Sequence, residues 1–184
     1  VPDHLNTYLK MFEARVAINN NRNFYSRNMD EAELLKYKVQ NNYTFENVKA
    51  ISQQYMGQLT KNGYIPTISI DNKDWKFVGI YTKNCPEWMM AYVGNMYNDV
   101  TTVSLYDTLG LDGVAYILEL TKLTTMVVNA CFLDKIFKLH EEGRICNLKN
   151  LVVVNDRTTN LKTVLESGAS YSKVFNFIEM DVII

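Results

Sequence analysis

Cys85 stands directly before Pro86, in the register that opens a helix, where the helix dipole can lower a thiol pKa and make a nucleophile. A buried helix start is the commoner use of such a cysteine, and that is the expectation here. His140 falls at the end of a helical stretch, where a partial positive charge complements the dipole, and His4 lies near the start of the chain. Cys146 follows His140 by six residues, but no third ligand is in register, so a metal site is not expected. Trp88, Met89, Met90, Tyr92, Met96 and Tyr97 form an apolar stripe at helical spacing. Such a stripe could line an apolar ligand, but the expectation is core.

Several chemistries lack their central residues. The sequence has no G-x-x-x-x-G-K-[ST] and no G-x-G-x-x-G loop to cradle a phosphate, and Gly110 and Gly113 are its one close glycine pair. It also has no G-x-S-x-G elbow and no H-E-x-x-H, so serine-hydrolase and zinc-protease readings fail.

The elements that would position a site are clearer. From residue 76 onward, short β-branched runs alternate with helical patterns, the signature of βαβ units and a parallel sheet. Strands are expected at residues 76–81, 100–105, 124–128, 151–154 and 173–177, with helices at 85–97, 111–120, 132–142 and 161–166. Asn84, Thr108 and Asn129 are the candidate helix caps, and Pro86 fits the first helical turn. The helices are apolar on more than one side, so further protein should cover their outer face.

Residues 1–68 read as a helical lead-in and residues 69–184 as βα units, together one incomplete subdomain. The lead-in should hold an amphipathic helix over 5–16, a short strand near Phe24, a charged stretch over 30–38 and a helix over 45–61. In that last helix Val48, Ile51, Tyr55 and Leu59 recur at spacings of three and four, and Gly63 ends it. A polar turn at 72–74 precedes the first main strand.

In an open parallel sheet, ligands bind beyond the carboxyl ends of the strands. Those ends carry residues 82–84, 106–110, 129–130 and 155–157. The second is richest in hydroxyl, carboxylate and glycine, in Tyr106, Asp107, Thr108 and Gly110. A turn that merely caps a helix is the structural alternative.

Composition narrows the class. The 184 residues are 47% hydrophobic and 21% charged, which suits a globular chain. Nineteen Lys and Arg against twenty Asp and Glu leave a net charge of −1, so no basic field favours nucleic acid. Three cysteines, odd in number and without a C-x-x-C pair, argue for a reducing, intracellular compartment. No apolar run is long enough to span a membrane. Both ends read as cut from a longer polypeptide.

Two stretches resemble a known family. Residues 77–88, FVGIYTKNCPEW, are similar to the VGI-x-x-x-N-x-PEW segment of long-chain acyl-CoA synthetases, and residues 103–110, VSLYDTLG, to their VPLYDTLG segment. These enzymes belong to the AMP-forming adenylate superfamily. Ser104 stands where that family usually has proline, which restores an N–H without adding chemistry.

The resemblance implies the N-terminal subdomain of a large adenylate-forming domain. Complete enzymes of the family activate a long-chain fatty acid with Mg-ATP and pass the acyl group to coenzyme A. Their phosphate loop, their adenine and magnesium motif and their C-terminal domain with its catalytic lysine have no counterpart in these residues. The chain alone is therefore expected to be inactive, to bind none of ATP, magnesium and CoA tightly, and to work with the remainder of the synthetase. A non-catalytic interaction subunit of a larger assembly is the alternative. The resemblance also implies a place in the cytoplasm or on the cytoplasmic side of an organelle membrane. It puts Tyr106, Asp107, Thr108 and Gly110 on the side where CoA approaches.

Overall fold

The computed structural model describes residues 7–26, 31–32, 42–155, 166 and 168–180. Its centre is a five-stranded sheet built from β5 (Phe77–Tyr81), β6 (Thr101–Ser104), β7 (Thr125–Asn129), β8 (Asn150–Val154) and β9 (Asn176–Glu179). Every pairing is parallel, and the order across the sheet is β6, β5, β7, β8, β9. Among the described residues, four strands precede it: β1 (Asn23–Ser26) and β2 (Asn42–Thr44), and the hairpin strands β3 (Ile68–Ile70) and β4 (Lys73–Trp75).

Among the described residues, five α-helices accompany the strands: α1 (Tyr8–Asn19), α2 (Phe45–Lys61), α3 (Pro86–Tyr97), α4 (Leu111–Thr121) and α5 (Leu133–Glu141). The chain steps one way from β5 to β6 and the other way from β6 to β7 and β8. Right-handed crossovers therefore place α3 on one face of the sheet and α4 and α5 on the opposite face. The packing agrees: Val78, Ile80, Val127 and Val152 join α2 and α3 in one core, while Tyr81, Met126, Val128 and Val153 join α4 and α5 in another. Burial on both faces is why β7 and β8 read as unbroken apolar runs.

The cover expected over the outer face of α3 is α2. Val48, Ile51, Tyr55 and Leu59 are all buried along it, as the spacing predicts. The two helices approach so closely at Gly94 that a Cβ there would lie 2.8 Å from the Ser52 carbonyl oxygen and 2.7 Å from the Tyr55 ring. Thr44 starts α2 through a reciprocal capping box with Asn47, both bonds being 3.1 Å. Beyond its end, Gly63 takes φ +67°. Glu13 of α1 ties the layer together, accepting from Lys49 of α2 at 2.7 Å and from the Tyr97 hydroxyl of α3.

Several expectations need correction. The N-caps of α3 and α4 are Cys85 and Gly110, not Asn84 and Thr108, and neither helix start has a side-chain cap bond. Asn129 caps nothing with its side chain, because that oxygen is committed to the Lys83 N–H. Pro86 does occupy the first turn of α3. The polar turn centres on Asp71 and Asn72, both at positive φ, while Lys73 and Asp74 belong to β4. Such paired left-handed residues close a two-residue hairpin. The last strand begins at Asn176, since residues 168–173 form a 3₁₀ helix instead. Helix α1 runs Tyr8–Asn19, starting from a Thr7 cap, and Leu5 lies outside the described residues. So do His4, Asp30 and residues 33–38 of the charged stretch, Asp156, Arg157 and residues 161–165.

Candidate functional site

Written by chain order of its parallel strands, the sheet runs second, first, third, fourth, fifth. Its direction reverses between β5 and β7, and at such a switch point the following helices leave on opposite faces and open a crevice. The walls here are the loop after β5, Thr82 to Cys85, and the segment from Asn129 into the 3₁₀ turn Ala130–Phe132. The buried Asn129 side chain accepts the Lys83 N–H at 2.5 Å, pinning one wall to the other.

A stacked aromatic pair adjoins the two walls in sequence and packs in the core on the α4 and α5 face. Tyr81, the last residue of β5, is fully buried and stacks on Phe132, with centroids 4.4 Å apart and planes 17° from parallel. Lys135, in the first turn of α5, donates to the Tyr81 hydroxyl at 3.2 Å and lies 5.2 Å from the Phe132 centroid. Lys135 escaped the sequence reading because its partner is 54 residues away; only the strand order brings them together.

Cys85 is half-buried beside this crevice, and its thiol donates weakly to the Thr82 hydroxyl at 3.8 Å. Burial, reinforced by the Glu87 charge, pushes the thiol up to about 12. That is the opposite of activation by the helix dipole, and it matches the expectation of an inert helix-start cysteine.

The loop carrying Tyr106, Asp107, Thr108 and Gly110 follows β6, on the far side of β5 from the crevice. All four residues are exposed, Tyr106 at 72%. The turn is held by Leu109 donating to the Tyr106 carbonyl at 3.0 Å and by Val114 donating to the Gly110 carbonyl at 3.1 Å. Gly110 has φ −68° and open space where a Cβ would go, so the backbone does not itself require glycine there.

Other polar groupings are structural. Thr124, Thr125 and Asn150 at the amino edge of the sheet all donate to the Tyr64 carbonyl. His140 packs its ring against Phe175 at 5.2 Å in the last turn of α5. Trp88 stacks on Tyr92 at 5.3 Å, and with Met89 and Met96 it packs against the α2–α3 core, as expected of a core stripe. A groove of about 570 Å³ lies between α4 and residues 143–148, and one of about 490 Å³ between the start of α1 and α3. Neither includes the 106–110 loop or the crevice.

A family model described as AMP-binding enzyme matches residues 25–176, most of the chain. The chain belongs to the AMP-binding enzyme family. Within it, the chain is 32% identical over 84 residues to long chain acyl-CoA synthetase 2 of Arabidopsis thaliana, a match covering 46% of this chain and 12% of the relative. Coronafacic acid ligase from Pectobacterium brasiliense shares its fold with a TM-score of 0.66 at 14% identity, over 96% of this chain and 29% of that one. The anthranilate CoA ligase AuaEII, solved with anthranoyl-AMP, superposes with a TM-score of 0.63 at 18% identity, over 79% of this chain and 24% of that one. The two structural likenesses speak for the fold alone. The match thus spans about an eighth of the length of its curated relative. Among the described residues, no helix is long and apolar enough to cross a membrane.

Proposed function

We propose that this chain is the N-terminal βα subdomain of a long-chain fatty acid–CoA ligase and supplies scaffold rather than reacting groups. In the whole enzyme, a fatty carboxylate would attack the α-phosphorus of ATP and expel pyrophosphate. The thiol of CoA would then attack the acyl carbonyl and expel AMP. The observation that carries the reading is the conjunction of the all-parallel sheet, its switch point between β5 and β7, and the family match over residues 25–176.

The residues present fit the three cosubstrates unequally. Among the described residues, no three His, Cys, Asp or Glu side chains converge where a metal ion would sit, so no step through magnesium is assigned to this chain. No phosphate-cradling glycine loop is present for ATP. The 106–110 loop, exposed and rich in donors and acceptors, is compatible with a wall of the CoA passage: Tyr106 would offer its ring and hydroxyl, Asp107 and Thr108 polar contacts. On this reading the 184 residues alone do not adenylate.

The test uses the full-length gene product. Replacing Asp107 and Thr108 together by alanine should raise the KM for CoA severalfold and leave the CoA-independent fatty-acid-dependent ATP–pyrophosphate exchange unchanged. Loss of the exchange with KM for CoA intact would contradict the assigned side. An absence of exchange in the unmutated protein would favour the non-catalytic subunit, for which the exposed Tyr116 and Leu120 on α4 would serve as contact residues.

A further inference from the structure

The sheet is open at β6. Among the described residues, β6 has a neighbour on one side only, β5. Thr101 and Leu105 donate their N–H groups to the Lys76 and Ile80 carbonyls, at 2.8 and 2.9 Å. A parallel ladder alternates, so the N–H and C=O groups of Thr102 and Ser104 point the other way, toward the free edge. Ser104 is exposed, and it stands where the VPLYDTLG segment has proline. Proline has no N–H and blunts a sheet edge against further pairing; serine reopens that position. The strand has no lysine and no bulge to do so instead.

The groove between α1 and α3 runs alongside. Thr102 lines it, its hydroxyl accepting from the buried Asn95 amide at 2.9 Å, together with Tyr8, Leu9, Tyr92 and Met96. Among the described residues, its one charged lining residue is Asp99, exposed at the turn that enters β6. A strand laid on this edge would meet the unused backbone groups of Thr102 and Ser104, an apolar recess for a side chain on the α3 face, and a carboxylate at one end.

We propose that the free edge of β6, with the groove beside it, is a docking site for an extended segment of another polypeptide, one that carries alternate apolar side chains and a Lys or Arg level with Asp99. A second copy of this chain fits less well. The antiparallel register that uses both edge residues, Thr102 opposite Ser104, sets Asp99 against the copy's Asp107, two like charges. The ligase reading above uses neither the edge nor the groove.

The test pans a phage-displayed library of random dodecapeptides on the full-length gene product and on its Ser104→Pro variant, which carries the residue of the segment it resembles and should fold. Peptides retained by the first and not by the second should alternate apolar residues and carry Lys or Arg. The best of them, synthesised, should bind at least about tenfold more weakly to Ser104→Pro and several-fold more weakly to Asp99→Asn. It should also slow amide exchange at Thr102 and Ser104, which exchange fast without it, while Thr101 and Leu105 stay slow throughout. The exchange readout needs no variant. Edge amides already slow before peptide is added, dimerisation through β6 in place of peptide binding, or equal retention of the same peptides by both proteins would overturn the proposal. So would a selection from which no peptide sensitive to Ser104→Pro emerges.

Discussion

The Asn129 side-chain oxygen accepts the Lys83 N–H at 2.5 Å, tying the carboxyl end of β7 to the loop leaving β5. Asn129 is 2% exposed but Lys83 is exposed, so removal of the side chain costs the bond itself while the Lys83 N–H turns to water. Asn129→Ala should cost about 0.5–1.5 kcal/mol. Urea denaturation of the two proteins checks this, and an unchanged midpoint would show that the crevice walls hold without the bond.

Gly94 and Gly57 should respond oppositely to a methyl group. At Gly94 the added Cβ meets the Ser52 carbonyl oxygen at 2.8 Å and forces α2 and α3 apart, which typically costs about 1–3 kcal/mol. At Gly57, inside α2, nothing lies within 4 Å of the added Cβ, and alanine should stabilise by about 0.5–1 kcal/mol through helix propensity. Thermal denaturation of Gly94→Ala and Gly57→Ala reads both signs.

The spacing of Val48, Ile51, Tyr55 and Leu59 announces that α2 has a buried face, but nothing local says that the face meets Gly94. The parallel strands are legible for a related reason: burial on both sides makes Leu151, Val152, Val153 and Val154 an unbroken apolar run. Helix starts are less legible. Asn84 and Asn129 have the right residue type for caps, yet a tertiary bond claims Asn129 and backbone geometry makes Cys85 the cap of α3. At the candidate site, the 106–110 loop stands out by composition. The Lys135–Tyr81 pair does not, because it depends on the strand order, which no stretch of sequence states.

Glu13 predicts the acid limb of stability. Burial by itself would raise its pKa, but bonds from Lys49 and Tyr97 and the Lys49 charge outweigh that, so the carboxyl is held below its ordinary value near 4.5. A carboxylate with a depressed folded pKa stabilises fully above its unfolded value and loses that contribution as pH falls through the folded one. Stability should therefore decline below about pH 4.5, and Glu13→Gln should flatten part of that slope while leaving Val16 and Phe12 packed. Denaturation midpoints between pH 3 and pH 7, taken about one unit apart, measure it. A slope identical in both proteins would show that other carboxylates carry the acid response.

Thiol reactivity should separate the cysteines. With its thiol pushed up to about 12, Cys85 is protonated at neutral pH and half-buried, whereas Cys146 is exposed. Iodoacetamide at neutral pH should label Cys146 first and Cys85 only as the protein unfolds. Fast labelling of Cys85 in the folded protein would reinstate the activated-thiol reading.

The most direct measurement is acyl-CoA formation from a long-chain fatty acid, Mg-ATP and CoA, run side by side with the full-length gene product and with residues 1–184 alone. The scaffold reading predicts acyl-CoA and pyrophosphate from the former and neither from the latter. Pyrophosphate released by residues 1–184 would contradict it, as would a full-length product that makes no acyl-CoA.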